Sequence, residues 1–321
     1  MSIPALIVTY SRHQNVMAII RQLQGQGVHR IYLAIDGPRS LDDELQILIE
    51  RDSLQLAEEL KIDLRIWRRD ANLGPAVSVI TAIDWFFKYE EFGVILEDDL
   101  VLSDDAIGYF DFALSNYADA NNVFLIAGSN FFGDVLLGSD GSLATHYPVT
   151  WGWATWANRW AGYRSALTSL SDFQISRGLT EKWFWKNGLR RCLNGIQDAW
   201  DIPLVTFQLS QNVLSVIPPV NLVSNIGADS FAGNTFVDEW PLSVPLERMP
   251  LKIFLANKSQ EIVFDQNLIP KINSLFISKI YKIQLGRTLP SPVSAIFDLL
   301  RHPQATRMKK LTERLELVVL P

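Results

Sequence analysis

Glu97, Asp98 and Asp99 follow one another at the end of an apolar run, in the stretch VILEDDLVLSDDA (94–106). Like charges crowded at the end of a strand repel, so something positive must compensate them. Side chains alternate along a strand. If the strand continues, Glu97 and Asp99 share one face and Asp98 takes the other. One or two carboxylates at a crevice suit a hard divalent cation, Mg²⁺ or Mn²⁺, which keeps positions open for phosphate oxygens. A metal-bound diphosphate would answer the crowding, and the held charge is what a leaving diphosphate needs. Asp104 and Asp105 read differently. They fit the first turn of a helix with Ser103 as N-cap, where acids complement the helix dipole.

Such carboxylates need a scaffold, and the first 130 residues supply its pattern. Short β-rich runs occur at ALIVTY (5–10), RIYLAID (30–36), LRIWRR (64–69), FGVILED (92–98) and VFLIAGS (123–129). Helical spacing lies between them, at 14–24, 41–61, 75–90 and 103–118. The first helix stops at Gly25 and Gly27, and the third opens on Pro75. Strand–helix alternation with continuous apolar strands predicts a mostly parallel central sheet flanked by helices. Ligands bind beyond the carboxyl ends of such strands. There the sequence places Thr9 to Arg12, Asp36-Gly37, Asn72-Leu73-Gly74 and the acidic triplet, all facing one crevice. Residues 131–170 read as loop and short strands, and 171–195 as helical. From about 270 the chain turns basic, with eight Lys or Arg against one acid between 270 and 310.

Composition narrows the classes. The 321 residues are 48% hydrophobic and 20% charged, enough for a sizeable core. A net charge of −6 argues against a general nucleic-acid binder. Cys192 is the single cysteine, which fits a reducing compartment, and the four histidines are far apart, which argues against zinc. The first residues show no basic leader and no apolar run of secretory length. No stretch of about 18 apolar residues is present. The expected location is cytoplasmic.

The triplet, with VTYSR (8–12), AIDGPR (34–39), NLGP (72–75), AGSNFF (127–132), WGWATW (151–156), WD (200–201) and NLVSNIG (221–227), resembles GT-A fold glycosyltransferases. The similarity is greatest to inverting N-acetylglucosaminyltransferase I-like enzymes and their bacterial relatives, over residues 3–240. The resemblance implies a nucleotide-sugar donor, uridine favoured, a Mn²⁺ or Mg²⁺ ion and a hydroxyl of a saccharide or glycan-lipid acceptor. It implies a catalytic domain over 1–240, with a nucleotide-binding half (1–130) and an acceptor half (131–240). A basic, helical C-terminal extension then fills 241–321. Asp99 resembles the metal ligand. Asp98 resembles the residue facing the donor ribose or sugar, and Glu97 one that contacts the donor sugar or orients the acceptor region. Asp36 is placed like the acid that reads the nucleobase. Thr9 and Arg12 sit where the first strand meets the nucleotide, and the Arg12 guanidinium offers phosphate a planar fork.

Inverting transfer needs a general base on the acceptor hydroxyl. Asp198 and Asp201, in QDAWDIP, are the candidates. Trp200-Asp201 matches the base position of the resembled family, which selects Asp201 and leaves Asp198 as a helix N-cap. Seven of the ten tryptophans fall between 151 and 200. Flat rings with a polar edge suit sugars, so Trp151, Trp153 and Trp200 are candidate acceptor contacts, with Gly152 allowing close backbone approach. Trp156, Trp160, Trp183 and Trp185 read as core. One departure is visible: bacterial relatives often carry Thr-His after Asn-Ile-Gly, whereas NIGADSFAGNTF has no histidine. Residues 274–301 mix apolar and cationic positions, as a segment resting on the inner face of an anionic membrane would. Two rival readings remain: a sugar nucleotidyltransferase, although TYSRHQN lacks the glycine-rich loop of that chemistry, and a glycan-binding module with a decayed site.

Overall fold

A computed structural model describes residues 3–40, 43–130, 143–172, 174, 179–227, 246–247, 269–274 and 311–321. The chain is an α/β protein with a large, mostly parallel central sheet flanked by helices. Strand β1 (Ala5–Thr9) is buried along its whole length. It lies between β2 (Arg30–Ile35) and β4 (Phe92–Glu97), parallel to both. Strand β3 (Asp63–Arg68) pairs in parallel outside β2. Alternation sends Leu6 and Val8 into one core and Ala5 and Ile7 into the other. Helices cover both faces, so every side chain of this strand leaves water, and the continuous apolar run follows.

Helix α1 (His13–Gly25) buries Val16, Ile19, Ile20 and Leu23, one stripe at helical spacing. Gly27, at φ +84°, lets the chain turn away from it. Helix α2 (Glu44–Leu60) packs against α1. Helix α3 (Pro75–Phe87) lies on the opposite face of the sheet and is buried almost all round. Helix α4 (Ala106–Asn116) begins later than the sequence pattern predicts. Ser103 is not its side-chain cap; the Ser103 carbonyl accepts from Ala106 N at 3.2 Å instead.

Past Glu97 the chain turns at Asp98-Asp99 and forms β5 (Leu100–Leu102). Next come β6 (Val123–Ala127), β7 (Leu143–Thr145), β8 (Trp153–Trp156), β9 (Leu214–Ile217) and β10 (Val223–Asn225). Among the described residues the main sheet has eight strands, in the order β3-β2-β1-β4-β8-β6-β9-β7. Strand β8 runs antiparallel between β4 and β6 and so joins the two halves of the chain in one sheet. Strand β10 pairs antiparallel with β5.

The region read as loop therefore also carries helix α5 (Ala157–Ala166) and a 3-10 turn, Leu167–Asp172. Helix α6 (Leu179–Leu193) matches the predicted helix, whereas α7 (Asp201–Gln211) has a β-like sequence, DIPLVTFQLSQ. Pro203 is tolerated because it falls in the first turn, where its missing N–H is not needed. Helix α8 (Leu311–Glu316) buries Leu311 and Leu315 in the core beside α3. No helix among the described residues is long and apolar enough to cross a membrane. Most of the basic stretch between 270 and 310 lies outside the described residues.

Candidate active site

The parallel strands bring Thr9, Asp36, Arg69 and Glu97 to one edge of the sheet. Register decides the neighbours: Val8 pairs with Glu97, so the residues just beyond them, Thr9 and Asp98, meet. Thr9 Oγ1 donates to Asp98 Oδ2 at 2.6 Å and Tyr10 N donates to the same oxygen at 3.2 Å. Arg12 Nη1 donates to Asp98 Oδ1 at 2.9 Å. Asn15 Nδ2 donates to the Asp98 carbonyl at 2.9 Å. Asp98 is 7% exposed and Thr9 3%. The first loop thus grips the second residue of the triplet. Arg12, expected to offer phosphate its fork, turns Nη1 to Asp98 at 2.9 Å, with Asp99 Oδ2 3.7 Å away.

Glu97 and Asp99 are less fully compensated. Burial pushes Glu97 well above the ordinary carboxylate range, and the charges of Asp99, Asp98 and Asp201 push further; Arg12 opposes them. Burial raises Asp99 too, followed by the charge of Asp98, against Arg12 and a hydrogen bond from Asn225. Asp201 stands at the first position of α7, its Oδ1 accepting from Ile202 N at 3.0 Å. It is exposed, yet burial by the surrounding protein raises its pKa above the usual value. Carboxylates so perturbed cluster at functional sites.

The motif stretches of the second half build the wall that holds Asp99. Gly128 N donates to the Gly152 carbonyl at 2.7 Å and Leu222 N to the Gly128 carbonyl at 3.0 Å. Ser129 Oγ donates to the Trp151 carbonyl at 2.9 Å and the Val223 carbonyl at 2.6 Å. Asn130 N donates to Asn221 Oδ1 at 2.9 Å. Gly152, at φ +60°, lies so close to Val223 that a Cβ there would stand 2.8 Å from it. These bonds deliver Asn225, Ile226 and Gly227 to the triplet. Ile226 N donates to the Asp99 carbonyl at 2.8 Å. A Cβ on Gly227 would lie 2.3 Å from Asp99 Oδ2. The sequence pattern marked this stretch without showing that it touches Asp99. The segment that lacks histidine, from 228 onward, lies outside the described residues.

Asp36, expected to read a nucleobase, is buried and makes bonds within the protein. It is 4% exposed. Its Oδ1 accepts from Gly37 N at 3.1 Å and Leu73 N at 3.0 Å, and its Oδ2 from Asn72 Nδ2 at 3.0 Å. Two carboxylate oxygens offer about four lone pairs, and three of them are engaged by the protein itself. Asp36 fixes the Asn72–Gly74 loop. Asp198 caps a helix, but not its own: its Oδ1 accepts from Ala76 N at 3.0 Å, in the first turn of α3.

The tryptophan expectation is corrected in part. Trp153 is 1% exposed and Trp200 6%, and their rings stack at 5.9 Å and 16° inside the core. They present no face to an acceptor. Gly152 is buried as well, and Trp151 keeps partial exposure. Trp183, read as core, is 43% exposed.

Among the described residues no group of three His, Cys, Asp or Glu could hold a metal ion. Asp98 is committed to the first loop. Asp99, with Glu97 beside it in the same field, remains. A site of one or two carboxylates, completed by phosphate oxygens and water, is what Mg²⁺ and Mn²⁺ use. The residues could take such an ion: the Arg12 guanidinium lies nearer Asp98, at 2.9 Å, than Asp99, at 3.7 Å, so a cation beside Asp99 and Glu97 would complete the compensation.

No protein-family model matches the sequence. No curated protein matches it either. Solved structures with some similarity include HddC from Yersinia pseudotuberculosis, 14% identical, covering 49% of this chain and 77% of that one at a TM-score of 0.32. The same protein complexed with GMP-PN aligns at 11% identity, with the same coverage and TM-score. Mannose-1-phosphate geranyltransferase from Thermus thermophilus aligns at 13% identity over 68% of this chain and 74% of that one, TM-score 0.33. None of these three is named as an N-acetylglucosaminyltransferase I-like enzyme.

Proposed function

We propose that the chain is a metal-dependent glycosyltransferase. It would move a sugar from a nucleoside diphosphate sugar to a hydroxyl of a saccharide or glycan-lipid, with inversion. One observation carries the reading: Glu97 ends β4 beside the parallel β1, and Asp98 and Asp99 follow it in a turn held by Thr9 and Arg12, so the acids gather at the carboxyl ends of the strands. Asp99, aided by Glu97, would hold Mn²⁺ or Mg²⁺. When bound, that ion supplies positive charge at the departing diphosphate. Asp201 takes the acceptor proton as the hydroxyl oxygen attacks the anomeric carbon, and the bond to the diphosphate breaks with its electron pair. Burial raises the basicity of Asp201, which suits that role. Asp98, Thr9 and Arg12 hold the first loop beside the donor. Asp36 and Asn72 shape the loop that ends at Gly74.

A second reading uses the same carboxylates. A nucleotidyltransferase would place a metal-bound triphosphate there and join the nucleotide to a sugar phosphate. The leaving group separates the two. Nucleoside diphosphate released from a panel of nucleotide sugars, abolished by EDTA, supports glycosyl transfer. Pyrophosphate released from a nucleoside triphosphate plus sugar phosphate supports the second reading. Glycan binding with neither release, and with no Mn²⁺-dependent nucleotide binding, would leave a binding module.

A further inference from the structure

Arg314, in α8, reaches across the fold to a place that none of the motifs describes. Its Nη2 donates to the Leu73 carbonyl and lies 3.8 Å from Asp198 Oδ2. Leu73 belongs to the loop that Asp36 fixes on the donor side. Asp198 caps α3 through Ala76 N and stands three residues before Asp201, where α7 begins. The spacing between these pieces is close: a Cβ on Gly74 would meet Asp198 Oδ2 at 2.1 Å and Arg314 Nη2 at 3.3 Å. Leu311 and Leu315, 2% and 7% exposed, anchor α8 in the core, so Arg314 starts from a fixed backbone.

We propose that Arg314 is a positioning residue that clamps the Asn72–Gly74 loop to the segment carrying Asp201, so that donor and base are held in register. The inference rests on the transfer reading above for its catalytic consequence, and on geometry alone for the clamp. Nη2 alone makes both contacts, the one to Asp198 at ion-pair distance, and its place on a rigid planar group fixes it between the carbonyl and the carboxylate. The Lys ammonium is a single point charge on a flexible stem and does not reproduce that.

The test uses the full chain with Arg314→Met, which keeps the apolar stem, alongside Arg314→Lys, Asp198→Asn and the Arg314→Met/Asp198→Asn pair. Hydrogen exchange reads the clamp without any substrate. Arg314→Met is expected to speed exchange in 72–78 and 197–203 by about tenfold and leave β1 unchanged. Turnover of the active donor is expected to fall about tenfold in kcat with little change in donor KM. Arg314→Lys should recover only part of it, and Arg314→Met should cost less once Asp198 is already Asn, because only the bond to the Leu73 carbonyl is then left for it to remove. Unchanged exchange in the two segments overturns the clamp, as does faster exchange throughout the chain. Faster local exchange with unaltered kcat overturns the positioning role. If the unmutated chain turns over no donor while both segments still loosen in Arg314→Met, the clamp stands and the transfer reading falls.

Discussion

Arg12 Nη1 lies 2.9 Å from Asp98 Oδ1 and 3.7 Å from Asp99 Oδ2, so one guanidinium serves two members of the acidic triplet. The side chains of Arg12 and Asp98 are 16% and 10% exposed. Part of the compensation that the triplet demands is therefore built into the chain, and it falls mainly on Asp98.

Asp98→Ala should destabilise the fold. It strips Thr9 Oγ1, Tyr10 N and Arg12 of their shared acceptor and takes from the partly buried guanidinium its nearest carboxylate. The expected loss is about 3 kcal/mol. Urea unfolding followed by tryptophan fluorescence checks it. A midpoint equal to that of the unmutated chain would show that the clamp contributes nothing to stability.

Asp99→Ala should leave the fold intact and abolish Mn²⁺-dependent nucleotide binding. Asp99 makes fewer bonds than Asp98 and stands in a repulsive field, so removing it relieves charge rather than stranding a donor network. Titration calorimetry with nucleoside diphosphate, with Mn²⁺ and with EDTA, provides the reading. Retained metal-dependent binding would remove Asp99 as the ligand.

Gly227→Ala should act on the same site from the opposite wall. Its Cβ would stand 2.3 Å from Asp99 Oδ2 and 2.8 Å from Asp99 Cβ, so the whole side chain must shift. The expected result is metal-dependent nucleotide affinity lowered about tenfold or more, with a melting temperature that falls by only a few degrees. Equal affinity in variant and unmutated chain would mean that Asp99 does not need this placement.

Asp201→Asn should keep donor binding and lower transfer about 10²- to 10⁴-fold. The pH dependence has a definite sign. Burial raises the Asp201 pKa, and a general base works only when deprotonated. The rate should climb with pH through a value above the ordinary carboxylate range, and fall on the acid side of it. That limb should vanish from the residual activity of the Asn variant. A kcat/KM profile flat down to the ordinary carboxylate range would exclude Asp201 as the base.

The sequence by itself determined the first half of the fold and the location of the triplet. Period-2 and period-3.6 patterns are local, and β1 to β4 and α1 to α3 are long and regular enough to show them. Once those strands are parallel, their carboxyl ends must gather Thr9, Asp36, Asn72 and the acids on one edge. Tertiary structure decided what each residue does there. Asp98 finds Thr9 across 89 positions because β4 lies directly beside β1. Asp198 caps a helix 122 residues earlier, which no local rule for caps can anticipate. Trp153 and Trp200 stack in the core because an antiparallel strand, β8, enters the sheet and turns one of them inward. Helix α7 formed from a β-like run because burial against the sheet outweighed propensity, which is the smaller energy. Residue type sets which bonds a side chain can make; the order of the strands sets which partners come within reach.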